Sequence, residues 1–229
     1  YHHLSLFEQA LGHYEVAARG ITDDAKLLQR VGELQRSLGE LDAAAETYER
    51  LAEMRRRSWA GPLPVMPVTT TGRRAAVQPG ADVAFWVTLG EVRAEAGDAQ
   101  GALEAWRRVI DRDRSDPDGW LEVASACWDY FLFDDAIDVI AEERRVLGDP
   151  DLHAKQLAAV HESKRDYKPA ITEYVRILQE GDVAVREDVR VRLNYLSRRK
   201  GLDRPIRKAF RKAIKADPGH EGLYRNYAD

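Results

Sequence analysis

Apolar residues in this chain fall in blocks whose spacing places them along one side of a helix, and the blocks themselves return at a fixed interval. Trp86 is followed 34 residues later by Trp120, Ala102 by Ala136 and then Ala170, and Trp106 by Ile140 and then Tyr174. Three independent rungs sharing one period predict a helical-repeat solenoid, in which each unit buries its apolar face only by stacking on its neighbours. Such a stack offers a long surface and no closed pocket, which points towards binding and away from catalysis.

The register can be followed through most of the chain. Leu28, Val31, Gly32, Gly39, Ala44 and Tyr48 mark a repeat over residues 25–58, and the next runs over 83–116. Trp120, Val123, Ala124, Ala136 and Ile140 mark 117–150, and Ala154, Leu157, Ala158, Ala170 and Tyr174 mark 151–184. A degenerate copy over 187–220 carries Leu193, Gly201, Ile206, Phe210, Ala213 and Pro218, displaced by two residues. Part-repeats fill 1–24, through Ala10, Tyr14 and Ala17, and 221–229, through Tyr224, Tyr227 and Ala228, so the array is expected to continue past both ends. Between Ala44 and Ala102 the ladder is stretched by an insertion over 59–82, where Pro62, Pro64 and Pro67 forbid helix and favour an extended conformation. Its apolar residues, Trp59, Leu63, Val65 and Met66, make it a candidate for folding over a groove or for contact with another molecule.

The clearest copy reads Trp86-x-x-Leu89-Gly90-x-x-Arg93, then Gly97, Ala102 and Trp106. This resembles the tetratricopeptide repeat, with Arg93 where Tyr is usual. The physical logic is visible beside the likeness: Gly or Ala at a crossing lets two helices approach, while Trp86, Leu89 and Trp106 fill the space between repeats. Gly97 is placed to end the first helix and Asp98 to cap the second. The resemblance implies an all-α fold, a single right-handed α-solenoid of stacked antiparallel helix pairs over residues 1–229.

Composition narrows the functions. With 44% hydrophobic and 32% charged residues the chain suits a folded array of surface helices, and no run approaches the roughly 18 apolar residues of a membrane span. The start lacks the pattern of a signal peptide, although Tyr1 is not an initiator. One cysteine, Cys127, rules out an internal disulfide framework and is more in keeping with the cytoplasm, while leaving the compartment open. His153 and His161 stand two helical turns apart without a third ligand near them in sequence, and no phosphate-binding glycine loop or nucleophile motif occurs. His161 and Cys127 both take the place usually held by Tyr, where side chains pack between helices. The expectation is a protein without enzymatic activity, metal or cofactor.

Charge is uneven although the net value is only −4. Nine acidic and no basic residues lie between Asp116 and Glu143, whereas twelve basic and three acidic residues lie between Arg186 and Lys215, so the two stretches should attract opposite partners. In the family that the repeats resemble, the first helix of each pair lines a concave groove. Residue by residue, this implies groove positions at Asp118, Leu121, Glu122, Ser125, Trp128 and Asp129. Glu91 and Glu95 would join them from the preceding repeat, Lys155, Gln156 and Glu162 from the following one, and Arg192, Tyr195, Arg198 and Arg199 from the degenerate one. The Lys and Asn residues with which some relatives hold a terminal carboxylate are replaced here by Gln29, Glu33 and Thr88, which argues against a receptor for chaperone tails.

These observations point to a scaffold or adaptor that holds a basic or amphipathic protein segment, with Trp128 as its apolar or cation–π anchor. Self-association through the insertion or the chain ends is a further expectation. The alternative is an accessory domain of a larger enzyme, or a nucleic-acid-binding protein that uses the basic end. Against nucleic acid, that end offers only Tyr195 and Phe210 for base stacking.

Overall fold

The computed structural model describes residues 2–20, 24–59, 79–180 and 183–228. Residues 60–78, the greater part of the Pro-rich insertion, lie outside the described residues, as do Tyr1 and Asp229. The described residues form α1 (His2–Gly20), α2 (Ala25–Leu38), α3 (Leu41–Trp59), α4 (Pro79–Glu95), α5 (Ala99–Arg112) and α6 (Pro117–Asp129). They continue as α7 (Phe133–Leu147), α8 (Ala154–Ser163), α9 (Tyr167–Glu180), α10 (Val183–Ser197), α11 (Asp203–Ala216) and α12 (Glu221–Ala228). No strand occurs among them. The protein is all-α, and within each compact part of the chain neighbouring helices pack in chain order, as in an α-solenoid.

Two compact units divide the chain, Tyr1–Arg112 and Asp113–Asp229. In the first, α2 packs on α3 and α4 on α5, with Leu28, Tyr48, Leu51, Phe85, Leu89 and Val92 forming a core that joins the two pairs. In the second, α6 packs on α7 and α8 on α9, while α10, α11 and α12 all reach α9. The core there runs from Ala158 through Tyr174 and Leu178 to Leu196, Phe210 and Leu223.

Small residues sit where the ladder requires them. Ala44, Ala102, Ala136 and Ala170 are fully buried. At Gly90 an added Cβ would lie 2.2 Å from Trp106 Nε1, so only glycine lets α4 approach the indole that donates to the Val87 carbonyl at 3.1 Å. Gly32 bears the same relation to Tyr48, with a Cβ 2.8 Å from the ring.

The turns inside the pairs repeat as closely as the cores. Gly39 (φ 80°), Gly97 (φ 87°), Phe131 (φ 62°) and Arg165 (φ 64°) all adopt the left-handed conformation, the last three 34 residues apart. In each turn the following N–H bonds a carbonyl five residues back: Glu40 to Gln35 (2.9 Å), Asp98 to Arg93, Leu132 to Cys127 and Asp166 to His161 (each 2.8 Å). These bonds satisfy helix-terminal carbonyls, and glycine, lacking Cβ, adopts the conformation without strain. Phe131 and Arg165 hold it against that strain, which shows that packing of the pairs dictates the turn. Asp98 also accepts from the Gly101 N–H at 2.9 Å, capping α5.

The second unit buries several charged groups. Glu173 on α9 receives Arg144 of α7 at 3.0 Å and also pairs with Arg176, and Arg144 Nε donates to the Leu152 carbonyl at 2.9 Å. Glu143, fully buried, lies 3.0 Å from His153 Nε2 but out of line for a hydrogen bond. Burial pushes its carboxyl up to about 7, against the attraction of Arg144. His161 is likewise held below the ordinary imidazole range by burial. Cys127 forms no disulfide and is fully buried.

Candidate functional site

In the second unit the sequence sets out one face from α6, α8 and α10. Asp116 starts α6 by accepting the Asp118 N–H at 3.1 Å, and Pro117 at the first position suits a helix start that lacks N–H partners. Asp118, Glu122 and Asp129 are exposed along α6, and Leu121, Ser125 and Trp128 are half-buried beside them. Trp128 Nε1 donates to Ser163 Oγ at the end of α8, at 3.1 Å.

Around that indole lies an open recess of about 410 Å³, lined by Trp128, Ala159, Glu162, Ser163, Arg165, Tyr167, Tyr174, Arg192 and Arg199. Its wall is fixed by a network. Glu162 accepts from the Tyr174 hydroxyl at 2.9 Å and from Arg192 Nε at 2.9 Å. Burial, and then the Glu162 carboxylate, hold Tyr174 well above the usual phenol range, so it stays a donor. Hydrogen bonding to Glu162 likewise raises Arg192. Arg199 Nη1 donates to the Tyr167 hydroxyl at 2.6 Å, and its guanidinium lies 5.6 Å from the Tyr167 ring centre and 5.5 Å from that of Tyr195. Arg192 stands 5.1 Å from the Tyr195 ring centre as well, so this ring is shared by two guanidinium groups. The result is an indole at the rim of a pre-organised, mostly polar wall. Such a site can hold an apolar side chain and orient the backbone around it, with Arg165 and Arg199 supplying positive charge at the edge.

Of the residues expected from sequence, Trp128, Glu162, Arg192 and Arg199 come together in this recess, and Tyr195 adjoins it. Arg198 is exposed in the turn that follows α10. Lys155 pairs with Asp188 at 2.8 Å, linking α8 to α10, and Gln156 is half-buried next to it in sequence. Glu91 and Glu95 lie on α4 in the first unit, one turn apart, and both grip Arg36 of α2, at 2.9 and 2.6 Å. Gln29, Glu33 and Thr88 line a separate recess of about 500 Å³ in that unit, together with Arg36 and Tyr48. Sequence reasoning missed Ser163, Tyr167 and Tyr174 as site residues. Tyr174 was visible only as a core rung, and the Glu162 side chain that turns its hydroxyl towards the face comes from another helix. Arg36 was missed as well, although a Glu pair at i and i+4 is a ready partner for one guanidinium.

Among the described residues no three His, Cys, Asp or Glu side chains gather as a metal site, and no helix is long and apolar enough to cross a membrane. The family model for the tetratricopeptide repeat matches residues 25–58, which are α2 and α3. The close approach of Gly32 to Tyr48 in that matched pair recurs as Gly90 to Trp106, and the buried Ala44 recurs as Ala102, Ala136 and Ala170. Residues 25–58 are a tetratricopeptide repeat, and the chain repeats its contacts. Tetratricopeptide repeats are as a family protein-interaction modules, and the chain is of that general kind.

A search of curated proteins returns no match. Among solved structures, a tetratricopeptide repeat protein from Parabacteroides merdae is similar at 12% identity and a TM-score of 0.44, over 98% of this chain and 77% of that one. YrrB, described as a protein of these repeats with an unusual peptide-binding site, is similar at 14% identity and 0.39, over 96% and 83%. The C-terminal part of a repeat-containing protein from Cytophaga hutchinsonii follows at 11% and 0.33, over 96% and 94%. Assignment of the repeats rests on the matched pair and its recurrence within the chain.

Proposed function

We propose that this protein is a non-enzymatic adaptor whose α6, α8 and α10 face holds a segment of a partner protein, anchored at Trp128. The observation that carries the reading is the half-buried indole at the rim of a recess whose wall is already fixed by Glu162, Tyr174 and Arg192. A pre-ordered wall lowers the entropy lost on binding, and aromatic anchors in such settings dominate many interfaces. The segment is amphipathic, with an apolar or basic side chain against Trp128 and basic residues along the exposed Asp118, Glu122 and Asp129 of α6.

Selection from a displayed peptide library against the 229-residue chain tests this. Selected peptides should share an apolar or basic anchor flanked by Lys or Arg. Trp128→Ala should weaken them at least tenfold while helicity stays at the parent value. Peptides that bind the parent and the Trp128→Ala chain equally would sink the proposal.

A further inference from the structure

The basic helix of the last repeat carries a second surface, separate from the Trp128 recess. On α11 the residues Ile206 and Phe210 are buried, and Arg204, Arg207, Lys208, Arg211, Lys212 and Lys215 are exposed. At 100° per residue these six cations fall within an arc of roughly 140°, over a length of about 17 Å. An open groove of about 880 Å³ runs between this helix and α9, lined by Lys168 and by all of these cations but Lys215. Asp203 is the one acidic residue lining it, and it is held by Arg207 Nε at 3.0 Å.

Such crowding is unfavourable in the isolated chain. Arg204 and Lys208, Arg207 and Arg211, Lys208 and Lys212, and Arg211 and Lys215 are all i,i+4 pairs of like charge. A polyanion would relieve that repulsion. The lining also discriminates between polyanions. Its uncharged members are Thr172, Pro205 and Ala209, so the groove offers no large apolar or aromatic residue to anchor a protein segment or stack an open base. Affinity must then come from charge density, about one positive charge per 3 Å of helix. That density answers the phosphates of a duplex, about one per 3.4 Å of each strand, whose condensed counterions are released on contact.

We propose that the α9 and α11 groove binds the phosphate backbone of double-stranded nucleic acid, without regard to sequence. The scarcity of aromatic residues argues against single strands only, because a duplex keeps its bases stacked inside and presents phosphate.

Fluorescence anisotropy of a labelled duplex of about 20 base pairs and arbitrary sequence, with the whole chain in 50 to 200 mM salt, tests the proposal. With five or six phosphates contacted, the log–log slope should be about −5, so affinity falls about a thousandfold over that range. The combined change K208Q, R211Q and K212Q should bring the slope to about −2. K212Q alone should lower its magnitude by about 1, which keeps the test valid should the triple variant lose helicity. Trp128→Ala should leave duplex binding unchanged, which separates this site from the adaptor face. No binding at 50 mM salt, or a slope indifferent to these changes, overturns the proposal. Tighter binding of a single strand of equal charge, or displacement of the duplex by polyglutamate at equal charge concentration, overturns it in favour of another class of ligand.

Discussion

Two residues hold conformations or charges that their own chemistry disfavours, and each gives a measurable consequence. Phe131 turns α6 into α7 at φ 62° while 78% exposed, so its ring contributes little burial beyond an edge contact with Phe133. The left-handed conformation costs an L-residue about 1–2 kcal/mol, and glycine gives back roughly 0.5–1 kcal/mol through its looser unfolded state. Phe131→Gly is therefore expected to stabilise the protein by about 0.5–1 kcal/mol in urea unfolding. Glu143 is the second case. Its carboxyl is raised by burial to about 7 from an ordinary 4.5, with Arg144 and Asp149 as further influences and His153 beside it. A raised pKa means that the folded state keeps the proton longer than the unfolded one. The stability it contributes is complete below about 4.5 and is lost as the pH rises through about 7. Glu143→Gln should flatten the decline in thermal stability between pH 5 and 8, by roughly 1–3 kcal/mol. Parallel pH profiles for parent and variant would show that Glu143 does not set the decline.

At the scale of elements, the helix pairs depend on contacts that admit no extra atom. Gly90→Ala places a methyl 2.2 Å from the buried indole nitrogen of Trp106, and the fully buried Ala136 has no space for a larger side chain to leave into. Gly90→Ala and Ala136→Leu are each expected to cost about 1–3 kcal/mol in denaturant titration through overpacking. Most of this was legible in sequence, because the 34-residue recurrence of alanine and of large residues follows directly from a stack that must keep the same interhelix distance. The turn was only half legible. Gly39 and Gly97 announce a left-handed residue, but Phe131 and Arg165 carry the same backbone without a composition signal.

Across a whole unit, stability is shared through contacts between neighbours. Leu178 is 1% exposed in the core that links α8, α9, α10, α11 and α12. Leu178→Ala should cost about 2–5 kcal/mol, and hydrogen exchange should quicken together across those five helices. Exchange confined to α9 would mean that the pairs open singly. The same connectedness governs the Trp128 site, whose wall is made from helices far apart in sequence: Glu162 meets Arg192 thirty residues on, and Trp128 meets Ser163 at a separation of 35.

The sequence by itself determined the class of fold, the helix pairs and the glycine and alanine contacts, since these follow from periodic burial and from which side chains fit a fixed crossing. It also marked Trp128 and the charged residues of α6 and α10 as first-helix positions. Tertiary structure alone decided which of those charges stay available. Arg192 is committed to Glu162, Lys155 to Asp188, and Glu91 and Glu95 to Arg36, because long side chains pair with whatever the packing of other helices brings within reach. Sequence spacing cannot report that distance.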